Sequence, residues 1–168
     1  MRRRGLGIVL SICLGGCGFR PVYGPQPAGS GNVELGAIDV PILAERQGQL
    51  LRQALVERLE RAGGVAPKRY DLVVSYAVTN DGIAIQRDNS SSRNRLTARA
   101  TWYLVTQDAQ RRTVASGSAR SVDGYNPIDI QFFSNELEVE GIQRRLAEQV
   151  ADQMVLQLGL SLAPKVGG

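Results

Sequence analysis

Between Glu136 and Leu160 an apolar side chain returns every fourth residue: Ile142, Leu146, Val150, Met154 and Leu158. Ala147, Ala151 and Val155 widen the stripe, while Arg144, Arg145, Glu148 and Asp152 fall off it. This spacing predicts a long amphipathic helix, ended by Gly159 and Pro164, and such a helix must find an apolar layer to cover its stripe. A shorter helix is expected from about Ala44 to Ala62. There Leu51, Leu55, Leu59 and Ala62 share a face, and Gly63-Gly64 with Pro67 stops the run.

The covering layer is written in period two. Tyr70, Leu72, Val74, Tyr76 and Val78 alternate along 70–79, and Leu96, Ala98, Ala100, Trp102 and Leu104 alternate along 96–106. Asn80-Asp81-Gly82 has the chemistry of a tight turn, which predicts a hairpin returning over 83–88. A charged turn at 108–112 leads to a weaker strand over 113–122. Val33 to Val40, ended by Pro41, predicts a first strand. Gly124-Tyr125-Asn126-Pro127 breaks the chain, and 128–135 alternates ambiguously before the last helix. The expected fold is α+β, a two-layer sandwich in the order β-α-β-β-β-β-α. Two helices pack on one face of a four- to five-stranded, mostly antiparallel mixed sheet. The other face, with Thr97, Arg99, Thr101, Tyr103 and Val105, is polar enough to stay wet. No internal repeat is visible.

The N-terminus is of another kind. Arg2, Arg3 and Arg4 precede an apolar run from Leu6 to Leu14, then Gly15-Gly16-Cys17. Charge, a short apolar core and small residues make an export signal too short for a stable membrane span. The cysteine directly after the two glycines resembles a bacterial lipobox, in which Cys17 is lipidated and becomes the first mature residue. The expected organisation is a cleaved signal at 1–16, Cys17 with a Gly/Pro-rich tether at 17–32, one domain at 33–162, and a tail at 163–168. Gly18 carries no charge, which points to the outer rather than the inner membrane.

Removal of the signal changes the electrostatics. The whole chain carries 20 Lys+Arg and 16 Asp+Glu; losing Arg2, Arg3 and Arg4 leaves 17 against 16. The basic balance that would favour nucleic acid thus belongs mostly to the signal, and sparse aromatics argue against base stacking. Cys13 leaves with the signal and Cys17 is held as a thioether, so no disulfide is expected. The chain has no histidine, which removes His-dependent nucleophile systems and the usual zinc sites. No metal, cofactor or enzymatic activity is expected. Asp123, Asp129, Glu136, Glu138 and Glu140 could pair, but nothing fixes their geometry.

Arg87, Arg93, Arg95 and Arg99 flank the polar loop 88–94. Arg93, Arg95 and Arg99 have the parity to share one strand face, where guanidinium forks bind phosphate or carboxylate. They are the candidate ligand-binding residues. The competing reading is a solubilising edge, since charges on exposed strands commonly block aggregation.

Leu14 to Gly24 (LGGCGFRPVYG), the Tyr125-Asn126 segment, the Arg144-Arg145-Leu146-Ala147 helix and the element order together resemble the lipopolysaccharide-assembly lipoprotein family LptE, in its α-proteobacterial form. The resemblance implies an outer-membrane lipoprotein, anchored on the periplasmic side, that plugs and assists the β-barrel LptD and contacts lipopolysaccharide. It supplies no catalytic site. The alternative is a binding module for an anionic envelope ligand that acts without a barrel.

Overall fold

The computed structural model describes residues 33–85, 91–126 and 132–163. The expected signal at 1–16, Cys17, the expected tether up to 32, Arg87 and the last five residues lie outside them. Seven elements follow in order: α1 (Val33–Gly36), β1 (Ile38–Asp39), α2 (Glu45–Gly63), β2 (Tyr70–Ile85), β3 (Ser91–Thr106), β4 (Thr113–Tyr125) and α3 (Phe132–Leu162). The strands form one sheet in the order β1-β2-β3-β4. β1 runs parallel to β2, whereas β2, β3 and β4 are successively antiparallel. Helices α2 and α3 pack on one face, so the α+β two-layer reading holds.

Two local readings are corrected. The expected first strand is a turn of helix followed by two strand residues. Its role is a buried plug, with Leu35, Ile38 and Val40 in the core. The second correction is the hairpin at Asn80-Asp81-Gly82. These residues pair with Leu96, Arg95 and Asn94 of β3, so β2 continues unbroken to Ile85. A long partner strand supplies ladder hydrogen bonds that a reversal would forfeit. The glycine instead gives a register irregularity between Gly82 and Ala84. The sheet therefore has four strands in the order β-α-β-β-β-α, and the β2–β3 reversal falls within 86–90, outside the described residues. Ser91 and Ser92, expected in a polar loop, open β3. β4 extends to Tyr125, three residues past expectation, and helix α3 begins at Phe132.

The core lies between helices and sheet. Leu51, Leu55 and Leu59 of α2 and Ile142, Leu146, Val150, Met154 and Leu158 of α3 are buried against Leu72, Leu96, Leu104 and Trp102. Each such side chain contributes about 1.5–3 kcal/mol of transfer free energy. Ala98 and Ala100, also buried, leave the room that lets the helices approach the sheet beside the Trp102 ring. At one end, called the base, α1 meets the C-terminal end of α2 backbone to backbone. A Cβ on Gly63 would stand 2.0 Å from the Gly36 nitrogen, so neither position admits a side chain. The base also holds the start of β2, the end of β3, the start of β4 and the end of α3. The opposite end, the tip, lies at roughly 50 Å along the 16-residue β2. Helix α2, with 19 residues, reaches about 28 Å and leaves the tip to α3 alone.

Candidate functional site on the open sheet face

The alternate residues of β2, β3 and β4 form the face that carries no helix. Cross-strand register arranges them in rows: Val73–Tyr103–Ser116, Ser75–Thr101–Ser118, Ala77–Arg99–Arg120, Thr79–Thr97–Val122 and Asp81–Arg95–Gly124. From base to tip the chemistry changes from apolar, through a hydroxyl belt, to arginine. The expected wet face is present except at Thr97, which is buried, and Arg93, Arg95 and Arg99 are exposed on it together. Arg87 lies outside the described residues.

The sequence reading missed Arg120. It sits directly opposite Arg99, and like charges facing across a ladder disfavour the fold by about 0.2–1 kcal/mol. Its place was not legible beforehand: a symmetric reversal over 108–112 brings 120 opposite 100, and the irregularity between Leu104 and Val105 belongs to the register that sets it opposite Arg99.

Most of the other arginines carry a counter-charge, whereas in this cluster only Arg95 faces a carboxylate, Asp81 across the β2–β3 ladder. On the helix layer and at the base, Arg46 pairs with Glu140, Arg58 with Asp152, Arg61 with Glu57, Arg69 with Glu34, Arg111 with Asp71, Arg112 with Asp108 and Arg145 with Asp123. Among the described residues, the guanidinium groups of Arg95, Arg99 and Arg120 have no hydrogen-bond or ion-pair partner. Arg93 is already engaged. Arg99 and Arg120, whose row holds no carboxylate, can grip phosphate or carboxylate groups, with the Ser and Thr hydroxyls beside them as further donors.

The paired carboxylates are correspondingly acidic. Hydrogen bonds from Gln107 and then Arg111 hold Asp71 below the usual carboxylate range. The Thr106 hydroxyl, then Arg112, does the same for Asp108, and Arg46 for Glu140. Asp123, one of the carboxylates considered for acid–base work, accepts from Arg145 at 2.8 Å. Glu136 and Glu138 are exposed, and Asp129 lies outside the described residues. No group of His, Cys, Asp or Glu among the described residues is arranged to hold a metal ion. A groove of about 360 Å³ between α2 and α3 is lined by Arg46, Gln53, Glu57, Arg58, Glu140 and Arg144, where cations and carboxylates offset one another. Burial pushes the Tyr76 phenol up to about 12, and its hydroxyl has no hydrogen-bond partner.

The two sheet edges differ. Along β4, glutamines four residues apart on α3 take the place of a neighbouring strand. Ser121 Oγ donates to Gln149. Gln153 donates to the Arg120 carbonyl at 3.1 Å and accepts from the Arg120 amide at 3.2 Å. Gln157 donates to the Ser118 carbonyl at 2.9 Å and accepts from the Trp102 indole at 3.2 Å. At the other edge, β1 pairs only with Tyr70 and Asp71 of β2.

The family profile of LptE, described as lipopolysaccharide-assembly, matches residues 33–158. No curated protein matches the chain. Among solved structures, a lipoprotein from Caulobacter crescentus CB15 is similar at 23% identity and a TM-score of 0.64, covering 80% of this chain and 96% of that one. The rare lipoprotein B of Shewanella oneidensis is 11% identical with a TM-score of 0.54, over 74% of this chain and 93% of its own. Lipoprotein B of Nitrosomonas europaea is 14% identical with a TM-score of 0.56, over 75% and 83%. At these identities the structures speak for the fold. The family match spans most of the domain, from α1 into the last turns of α3, and on that ground the chain belongs to the LptE family.

Proposed function

We propose that this protein is a non-enzymatic outer-membrane lipoprotein, lipidated at Cys17, that assembles with the LptD β-barrel and takes part in inserting lipopolysaccharide. Membership of the lipopolysaccharide-assembly family supports the process. The observation that carries the ligand assignment is the facing pair Arg99 and Arg120, without ion-pair partners beside a hydroxyl belt on the open face. Lipopolysaccharide is an anionic amphiphile, and its phosphates suit guanidinium forks. A mixed, mostly polar surface also suits the hydrated lumen of a large barrel.

The test is affinity purification of the tagged protein from native envelopes in mild detergent. The expected result is co-purification with a large outer-membrane barrel. Arg99→Glu with Arg120→Glu is expected to abolish lipopolysaccharide binding and leave the barrel bound. Recovery of the protein alone from cells that express the barrel overturns the assembly role. If ligand binding then persists, the barrel-independent module for an anionic envelope ligand takes its place.

A further inference from the structure

The two edges of the sheet are left in different states. β4 is closed by side chains, since Gln153 and Gln157 of α3 bond the main chain of Arg120 and Ser118. β2 is covered only at its start, where β1 pairs with Tyr70 and Asp71. There the Tyr70 N–H donates to the Ala37 carbonyl at 3.2 Å, while the Arg69 carbonyl accepts from Gln107 on the β3 side at 2.9 Å. Main-chain groups of an antiparallel strand alternate in direction, so those of Val74, Tyr76, Val78 and Asn80 point as Tyr70 does, away from β3. Among the described residues nothing bonds them. At about 3.4 Å per residue this bare run is roughly 20 Å long.

Exposed edges are ordinarily blunted by a proline, a lysine or a bulge. Residues 72–80 (LVVSYAVTN) hold no proline and no charge, and the register stays regular as far as Gly82. Val74, Tyr76 and Val78 are half-buried toward the helices, and Ser75, Ala77 and Thr79 are exposed on the open face. We infer that this edge takes an extended segment of the barrel partner as a fifth strand of the sheet. The inference rests on the barrel assembly proposed above and names what β2 contributes to it. Main-chain hydrogen bonds supply the hold, and alternate apolar side chains of the segment cover Val74, Tyr76 and Val78. Charge selects against a second copy of this chain. Antiparallel pairing along the whole run 72–80 is centred on Tyr76, which sets Asp71 opposite Asp81 of the other copy and brings a second set of exposed arginines onto the same face. Arg99 is the neighbour of Ala77 across the ladder, so the added segment carries no Lys or Arg at that level. A closed barrel wall has no free edge of its own, so the segment belongs to a loop or to a part outside the wall.

The test compares the tagged protein alone with its barrel complex, both purified from envelopes, by residue-resolved hydrogen exchange. Alone, the amides of Val74, Tyr76, Val78 and Asn80 are expected to exchange fast and those of Ser75, Ala77 and Thr79 slowly, because only the second set faces β3. In the complex the first set is expected to slow by roughly tenfold or more. Val78→Pro removes one edge N–H and leaves the β3 ladder whole. In the complex it should restore fast exchange at Tyr76 and Asn80, while Val78→Ala keeps them slow; Asn80→Pro, read at Val78, serves if Val78→Pro does not fold. A photo-crosslinking residue at Ala77 should capture a barrel peptide outside the wall strands. Edge amides that stay fast in the complex overturn the added strand and leave the barrel partnership standing. Slow exchange that survives the proline means an edge merely covered, and overturns it too. If the edge amides slow in the isolated protein as its concentration rises, the occupant is a second copy and the partner segment is overturned. Capture of a wall strand overturns the loop assignment. If no barrel accompanies the tagged protein, the assembly reading itself falls, and the added strand with it.

Discussion

The two faces of this sheet come from the same strands and follow opposite rules. On the face toward the helices Leu72, Leu96, Trp102 and Leu104 are buried to 2% exposure or less, and the charge of Asp123 is held by Arg145 of α3. The ion pairs of that layer lie outside the core, where Arg46, Arg58 and Arg145 find carboxylates. On the open face a hydroxyl belt separates apolar side chains from arginines, and two arginines face each other across β3 and β4. A sheet selected for stability alone would place a carboxylate or threonine at one of those positions. The covered face is organised by packing and the open face by charge left unneutralised, which is the expected mark of a surface that meets something else.

The comparison breaks most visibly at Trp102. Its ring is fully buried and its indole N–H is held by Gln157. Trp102→Ala is expected to cost about 3–5 kcal/mol through lost transfer energy and the cavity left behind. Urea denaturation followed by circular dichroism measures this. A loss below about 1 kcal/mol would mean that the layer collapses around the missing ring and is less closely packed than described.

Gly117 sharpens the same point from the other strand. A side chain in a strand ordinarily favours pairing over glycine, yet a Cβ here would meet Trp102 Cζ2 at 2.6 Å and Gln157 Oε1 at 2.7 Å. Overpacking of this kind costs about 1–3 kcal/mol. Gly117→Ala should therefore lower the urea midpoint and show stronger near-ultraviolet change than Trp-distant variants. A neutral result would show that the indole can move aside.

The features legible in the sequence were the periodic ones. The two helical stripes and the even-numbered face of β3 hold residue for residue, because burial of one face fixes the phase of a pattern. The turn at Asn80-Asp81-Gly82 was misread because turn chemistry is a local preference, and an antiparallel partner of matching length outweighs it. The first strand was misread because β-branched and apolar residues at 33–40 serve a buried plug as well as a strand. At the candidate site, parity brought Arg93, Arg95 and Arg99 to one face. Arg120 stayed hidden because its place depends on the register between two strands, which neither strand carries alone. The glutamine ladder shared that fate: Gln149, Gln153 and Gln157 read as the polar flank of a helix until β4 lies beside them.

That ladder stands between the two faces, and it supplies a smaller effect. Gln153 makes two hydrogen bonds with the main chain of Arg120, replacing the partner strand that an edge lacks. Gln153→Ala should cost about 1 kcal/mol. It should also raise concentration-dependent self-association, since an edge strand with bare amides pairs readily. Sedimentation velocity over a concentration series tests the second part; unchanged self-association would leave the glutamines a stabilising role only.

On the open face the sign reverses. Arg120→Thr removes a like-charge opposition and adds a β-branched residue to a strand, so stability should rise by about 0.2–1 kcal/mol. Affinity for a phosphate-bearing amphiphile should fall in the same variant. A substitution that stabilises the fold and weakens binding separates the two rules within one residue. Lower stability in Arg120→Thr would show instead that Arg120 has a structural partner.

The smallest effect concerns the paired carboxylates, and its direction follows from their acidity. Asp71, Asp108 and Glu140 are held below the usual range by Gln107, Thr106 and Arg46 respectively, with Arg111 and Arg112 assisting the first two. A carboxylate more acidic in the folded than in the unfolded state binds fewer protons when folded, so its contribution is complete above its unfolded value, near pH 4. That contribution is lost as pH falls through the lowered folded value. These groups are exposed and screened by solvent, so the acid dependence should be shallow. Asp71→Asn should flatten it further below pH 4 while leaving the midpoint at neutral pH close to that of the parent. Arg120→Thr gives the contrast: Arg120 has no carboxylate opposite it, so relieving its charge should shift stability by the same amount at pH 7 and at pH 3. If the gain instead grows in acid, a carboxylate that offsets Arg120 at pH 7 faces it after all, and the charge of the open face is not left unneutralised.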